Sequence, residues 1–461
     1  MTQVREHWGS KLGFMMAAIG SAIGLGILWK FPYVVGENGG GLFLLCYLVC
    51  LILIAIPIFI AELILGRSAQ KAAVSAFAYH EPKQTGWQIG AWLGVASSFL
   101  IMSYYSVIGG YGLSYILMSI NGFYNGLSSS EVVAVYDKLS GSGPISTFWH
   151  FIFTAITAGI VYSGVRKGIE FWSKIMVKIF LLLLFALFLY STTLSGFKEA
   201  FHFIIYPNVA SFKASSALQA LGLAFFTMSL GQGVMISYGS YMKKSDNVAQ
   251  VASIVAISII IVAALAALTI FPIVFSFGLK ANSGPGLIFK TLPYLFAQLP
   301  GSMVLSTLFF VLFVFTGLTS AVPLIEVVAG NMAELTSLSK KKSVILVGCL
   351  TFLFGLPSAY SVSGGLFEQW PAIFSEDFLL TMDGLVSVWL IPLAGLVTAL
   401  FVGWKIKREV LFEEFNSAKG MKTYFLIWRF GLRYIVPILI LCIIAHSSGL
   451  VDFDQLFTGK M

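Results

Sequence analysis

Ser21-Ala22-Ile23-Gly24-Leu25-Gly26-Ile27 lies at the centre of one long apolar run, 12–36, and Thr227-Met228-Ser229-Leu230-Gly231-Gln232-Gly233 lies at the centre of another, 216–241. Each run is long enough to cross a bilayer core, which takes about 20 residues as a helix. Yet each is interrupted midway by glycines flanked by hydroxyls. Such glycines have two readings. They let neighbouring helices pack closely, or they mark a break at the midplane. At a break the freed amides of one half-helix can receive an anion and the freed carbonyls a cation. Two interrupted runs, five spans apart, favour the break, because an inverted five-plus-five repeat sets a pair of broken helices face to face.

Nine further runs lie on either side, at 41–66, 88–121, 147–164, 169–194, 248–277, 302–336, 342–361, 379–404 and 424–448. Of the 461 residues 58% are hydrophobic and only 10% charged, against roughly 25% charged in a soluble domain. A water-soluble globule is excluded. Lipid offers the backbone no hydrogen-bond partner, so each span must satisfy its own amides as a helix; strands of a barrel would be about half as long. The expected fold class is an all-α polytopic membrane protein of about 11 transmembrane helices. Its parts are 1–194 (spans one to five), 195–404 (spans six to ten), and 405–461, which holds an inner loop, the eleventh span and a tail.

The net charge of +8 does not point to nucleic acid, because the charges fall in short clusters between apolar runs. With the N-terminus cytoplasmic, only seven of the 28 Lys and Arg (Lys30, Lys138, Lys198, Lys213, Lys280, Lys290 and Lys460) fall outside. That is a positive-inside bias, and it puts the C-terminus outside. The opening MTQVREHWGSK holds Glu6 and no cleavage signature, so it reads as retained. No Asn-x-Ser/Thr sequon occurs, which favours a bacterial inner membrane over a glycosylated surface. The four cysteines, all inside apolar runs, read as packing thiols.

Thr316-Gly317-Leu318-Thr319-Ser320 gathers hydroxyls within about one helical turn. Hard cations want oxygen ligands, although such hydroxyls also bond back to their own helix. Charges at depth are few. Glu62 is either an anchor or a relay; Lys30 and Asp383 could pair near the outer surface, and Arg5 with Glu334 near the inner one. Nothing resembles a catalytic triad, metal cluster or phosphate loop, so an enzyme is not expected.

Gly20-Ser-Ala-Ile-Gly-Leu-Gly-Ile-Leu-Trp-Lys-Phe-Pro-Tyr33, Glu37-Asn-Gly-Gly-Gly41, Phe226-Thr-Met-Ser-Leu-Gly-Gln-Gly233, Gly284-Pro-Gly-Leu-Ile-Phe289 and Gly317-Leu-Thr-Ser320 resemble the neurotransmitter:sodium symporters, along essentially the whole chain. The resemblance implies a sodium site at Gly20, Ile23, Thr316, Thr319 and Ser320. A further sodium site of the family uses an Asn where Ile27 stands and another at Ile259, or at Ser258 if the register slips by one. Apolar side chains cannot replace amide oxygens, so one coupled sodium is expected. The chloride ligands of animal relatives fall on Ala263 and Leu223, so no chloride requirement is expected.

Gly24, where monoamine carriers hold Asp, implies a zwitterionic amino acid. Its carboxylate would meet the amides near Gly24 and Gly26 and the Tyr105 hydroxyl. Its ammonium would meet carbonyls of Ala22, Phe226 and Thr227 and the Ser229 hydroxyl. Ile101, Tyr105, Phe226, Ser229, Gln232, Ser320 and Leu324 would wall its side chain, mostly apolar, with Gln232 the polar exception. Tyr105 and Phe226 would form the outer lid, Lys30 and Asp383 the outer gate, and Arg5 with Glu334 the inner one. Lys at position 30 replaces the family's usual Arg, a point charge for a fork. Lys178 stands where relatives place Pro, and either snorkels to the inner surface or points inward as a proton-titrated substitute for an ion.

The expected function is therefore sodium-coupled symport of a small, apolar amino acid by alternating access, in the lipid bilayer, as a monomer or homodimer with no nucleic-acid partner. The rivals are a proton-coupled or ion-independent carrier, and a sensor that binds without transport.

Overall fold

The computed structural model describes residues 6–82, 86–122, 127–207, 212–279, 284–363, 367, 369–415 and 422–458. Among these residues it is all-helical, apart from an isolated bridge between Gly40 and Pro207. Ten helices are long and apolar enough to span a bilayer: Lys11–Glu37, Gly41–Ala69, Ile89–Ile120, Gly143–Tyr162, Val165–Ser191, Val248–Ser276, Ser302–Leu335, Lys340–Ala359, Trp370–Lys405 and Lys422–Ser447. The run expected at 216–241 is split into Ala214–Thr227 and Val234–Ser240, neither of which could span alone. The eleven expected spans are thus ten long helices and one divided one.

The first span starts at Ser10, whose side chain caps the helix by accepting from the Gly13 amide at 3.0 Å. Regular hydrogen bonding ends where the Ile23 amide meets the Ile19 carbonyl at 2.9 Å. The chain turns at Gly24, resumes as a wide turn over Gly26–Lys30, and continues through Phe31–Glu37. In the sixth span the amides of Met228, Ser229 and Leu230 fold back onto Ala224, Phe226 and Phe225. Ser229, Gly231 and Gly233 then adopt left-handed φ of 52°, 67° and 72°. At Gly231 a Cβ would also drive into the Ile391 carbonyl, so only glycine fits there.

These breaks sit inside a tight scaffold. The third and eighth spans approach where Gly112 faces Phe313 and Val314, with 2.8 and 3.0 Å to a hypothetical Cβ. The second half of the sixth span lies on the second: Gly66 abuts the Ile236 carbonyl, and Gly239 the Leu63 carbonyl at 2.5 Å. Small residues let these backbones touch. The fifth span turns Val177 toward Gly20 and leaves Lys178 exposed on another face of the helix. The inward reading of Lys178 is corrected by helix phase: one residue is a rotation of about 100°, and Val177 already holds the inward face. All four cysteines are free thiols.

Candidate functional site

The two breaks face each other across one cavity. Ala22, Gly24, Gly26, Ile101, Tyr105, Phe226, Ser229, Gln232, Ser320 and Leu324 line it, joined by Ser21 and Leu25. Thr227 alone of the expected substrate-contacting residues does not line it. Its hydroxyl turns to the second span, where it lies 2.9 Å from the Tyr47 hydroxyl. At one corner the Leu25 amide donates to the Tyr105 hydroxyl at 3.1 Å. The neighbouring Gly24 amide has no backbone acceptor among the described residues. A Cβ on Gly24 would press into the Ser320 side chain and reach 3.3 Å from the Tyr105 oxygen. This corner can receive a carboxylate: it offers an open amide and a hydroxyl at the end of a half-helix.

Serines cross-link the breaks. Ser229 Oγ donates to the Ser21 carbonyl at 3.0 Å, and Ser21 Oγ lies 3.2 Å from Ser229 Oγ. Ser21, which flanks the break in the sequence, is not among the expected substrate contacts, although its hydroxyl inside an apolar run is a local signal.

Of the residues expected to hold a cation, Gly20, Thr316, Thr319 and Ser320 are brought together beside this cavity. Ser320 Oγ donates to the carbonyls of Ser21 (2.8 Å) and Gly20 (3.3 Å). Thr319 Oγ1 donates to the Thr316 carbonyl at 2.9 Å. Gly20 packs directly on Thr319, with 3.0 Å from a hypothetical Cβ to Thr319 Cβ. The donors are carbonyls and alcohols, a set that suits a hard monovalent cation, and no cluster of three His, Cys, Asp or Glu is found among the described residues. Ser320 belongs to both cavity and cluster.

Where an additional cation would need amide oxygens, Ile27 and Ile259 are fully buried hydrocarbon. Ser258, the alternative register, spends its hydroxyl on the Ile254 carbonyl at 2.8 Å. Ala263 and Leu223 are likewise buried. Tyr47 was not singled out from sequence, because its partner lies 180 residues away.

Above the cavity, Lys30 Nζ pairs with Asp383 Oδ2 at 2.9 Å and donates to Ser387 Oγ at 3.2 Å. It also lies 4.9 Å over the Phe226 ring. Tyr104 donates to Asp383 Oδ1 at 2.9 Å. Below, Arg5 lies outside the described residues. Glu334 accepts the Ala72 amide with both oxygens, at 2.9 and 3.0 Å. On the same side Trp8 is buried: its indole N–H donates to the Tyr238 carbonyl at 3.1 Å, and its ring stands edge-on to Tyr238 and Tyr241. Tyr241 in turn donates to Glu326, which pairs with Lys340 at 2.6 Å. Glu62, fully buried, accepts the Gly231 amide at 2.8 Å and so anchors the second break.

Comparison with known proteins agrees with this fold. The model of the sodium:neurotransmitter symporter family matches residues 5–130 and 123–457. A sodium-dependent transporter of Bacillus subtilis, YhdH, is 40% identical over 97% of this chain and 98% of its own. One from Haemophilus influenzae is 31% identical over 95% and 97%. Among solved structures, MhsT in complex with L-phenylalanine superposes with a TM-score of 0.89 at 37% identity, covering 96% of this chain and all of that one. With its two broken spans, its shared cavity and these relatives, the chain belongs to the sodium:neurotransmitter symporter family.

Proposed function

We propose that the protein is a symporter that couples one sodium ion to the uptake of one small, neutral, zwitterionic amino acid, without chloride, by alternating access. The observation that carries this reading is the sharing of Ser320 between the cavity and the oxygen cluster. A cation drawn to Gly20, Ile23, Thr316, Thr319 and Ser320 orders the same serine and the same half-helix that frame the carboxylate corner. Each ligand therefore favours the conformation that binds the other.

In this reading the carboxylate meets the Gly24 amide and the Tyr105 hydroxyl. The ammonium meets carbonyls at the breaks and Ser229. No charged side chain lines the cavity, which excludes amino acids with ionised side chains. MhsT, whose structure holds L-phenylalanine, supports an apolar body for the side chain. The buried hydrocarbon at Ile27, Ile259, Ala263 and Leu223 supports one sodium and no chloride. One inward sodium across about 100 mV supplies about 2.3 kcal/mol, or roughly fifty-fold accumulation. The distribution of Lys and Arg supports an inner-membrane protein with a cytoplasmic N-terminus.

The test is uptake into proteoliposomes with sodium and proton gradients imposed separately, across a panel of the twenty amino acids. Accumulation that follows sodium, one ion per substrate and equal in chloride and gluconate, is expected. Accumulation driven by a proton gradient without sodium would overturn the coupling.

A further inference from the structure

One polar group in the cavity is left unspent. Gln232 is 5% exposed and lines the cavity, and its side-chain carboxamide has no hydrogen-bond partner among the described residues. The rest of the residue is fixed. Ser98 Oγ of the third span donates to its carbonyl at 2.7 Å, and Glu62 holds the preceding Gly231 amide at 2.8 Å. Its neighbours in the cavity include the hydrocarbon of Ile101, Leu324 and Phe226. A carboxamide in such surroundings loses hydration and needs a partner from whatever fills the space.

Position along the third span says which part of the cargo that partner is. Ser98 precedes Tyr105 by seven residues, roughly 10 Å of helix axis. Gln232 is tied to the level of Ser98, and the carboxylate corner to the level of Tyr105. The Gln232 backbone and the Tyr105 backbone are thus offset along the third span, with Ile101, which lines the cavity, between Ser98 and Tyr105 in sequence.

We propose that Gln232 reads the tip of the substrate's side chain. The preferred cargo is a neutral amino acid with an apolar body that ends in a hydrogen-bonding group, such as a ring N–H, a phenolic O–H or a carboxamide, in preference to an all-hydrocarbon one. A carboxamide both donates and accepts, so it matches each of these tips. An ionised tip would find no counter-charge. The inference rests on the amino-acid carrier reading above. A site that presents a buried hydrogen-bonding group discriminates against analogues that leave it unpaired more strongly than an apolar pocket discriminates by size.

The experiment is a sodium-dependent binding competition on the full-length protein with matched pairs that differ at the tip: tyrosine and phenylalanine, tryptophan and 3-benzothienylalanine, glutamine and norleucine. The wild type is expected to prefer the polar member of at least one pair by about tenfold or more. In Gln232→Met that ratio is expected to shrink to within about threefold. If the wild type binds hydrocarbon members equally well or better, sodium-dependently, the inference fails and the carrier reading stands. If no amino acid binds in sodium, the carrier reading fails and takes the inference with it. The wild-type panel decides even where the variant does not fold.

Discussion

Gly24 tests the cargo's requirement at a single residue, and the pair Thr319 and Ser320 tests the ion's, with Ser320 the residue that both share. Gly24 has ordinary backbone geometry, so alanine is conformationally allowed there; what it lacks is room, because the added carbon meets Ser320 and the Tyr105 hydroxyl. Gly24→Ala is expected to weaken amino-acid binding at least tenfold while shifting Tm in detergent by no more than a few degrees. A thermal-shift titration reads both, since a ligand stabilises only the fold it binds. Intact binding would mean the carboxylate sits elsewhere. Thr319→Val combined with Ser320→Ala removes two hydroxyls and little volume, leaving the Gly20, Ser21 and Thr316 carbonyls in place. Sodium-dependent uptake is expected to vanish, with Tm in sodium-free buffer nearly unchanged. Retained sodium dependence would remove the cluster from the mechanism.

Among the elements, the broken sixth span depends on a partner that its own sequence does not contain. The Gly231 amide is freed by the left-handed turns around it and is satisfied by Glu62 from the second span. Glu62→Gln keeps an acceptor oxygen and is expected to change stability little. Glu62→Leu leaves a buried N–H alone, at a cost of about 1–3 kcal/mol, and should lower Tm and uptake together. Equal unfolding midpoints for the two variants would show that the break holds itself. The same contrast explains what was legible beforehand. Glycines and hydroxyls inside apolar runs are local exceptions, so both breaks could be read off the chain, whereas cavity residues such as Ile101, Tyr105, Phe226 and Leu324 are reached only through the resemblance to the family. Tyr47 against Thr227, Ser98 against Gln232, and Glu326 between Tyr241 and Lys340 depend on how helices lie against one another, which no local pattern encodes. Glu326 did carry a signal, a lone carboxylate in Leu-Ile-Glu-Val-Val, but its partners lie on other segments. Lys178 was ambiguous because its direction rests on the rotation of a whole helix.

For the molecule as a whole, the proposed gates are the Lys30–Asp383 pair over Phe226 as the outer one and Trp8, packed against Tyr238, as the inner plug. Under the proposed alternating access these contacts would be released one at a time, so weakening either should shift the population in opposite directions. Asp383→Asn removes the charge that faces Lys30 and leaves the inner plug untouched. Trp8→Ala removes the plug and leaves the outer pair. Ile108 is nearly buried and lines the larger cavity on the outer side of Tyr105, which makes Ile108→Cys, in a background lacking the four native cysteines, a reporter of outward opening. Labelling by a membrane-impermeant maleimide from outside is expected to rise roughly three- to tenfold with Asp383→Asn, the shift produced by about 1 kcal/mol from a partly buried ion pair. With Trp8→Ala it is expected to fall, because inward opening then competes. If both substitutions moved labelling the same way, the two closures would not be opposed gates, and the coupling of one ion to one cargo would need a different physical basis.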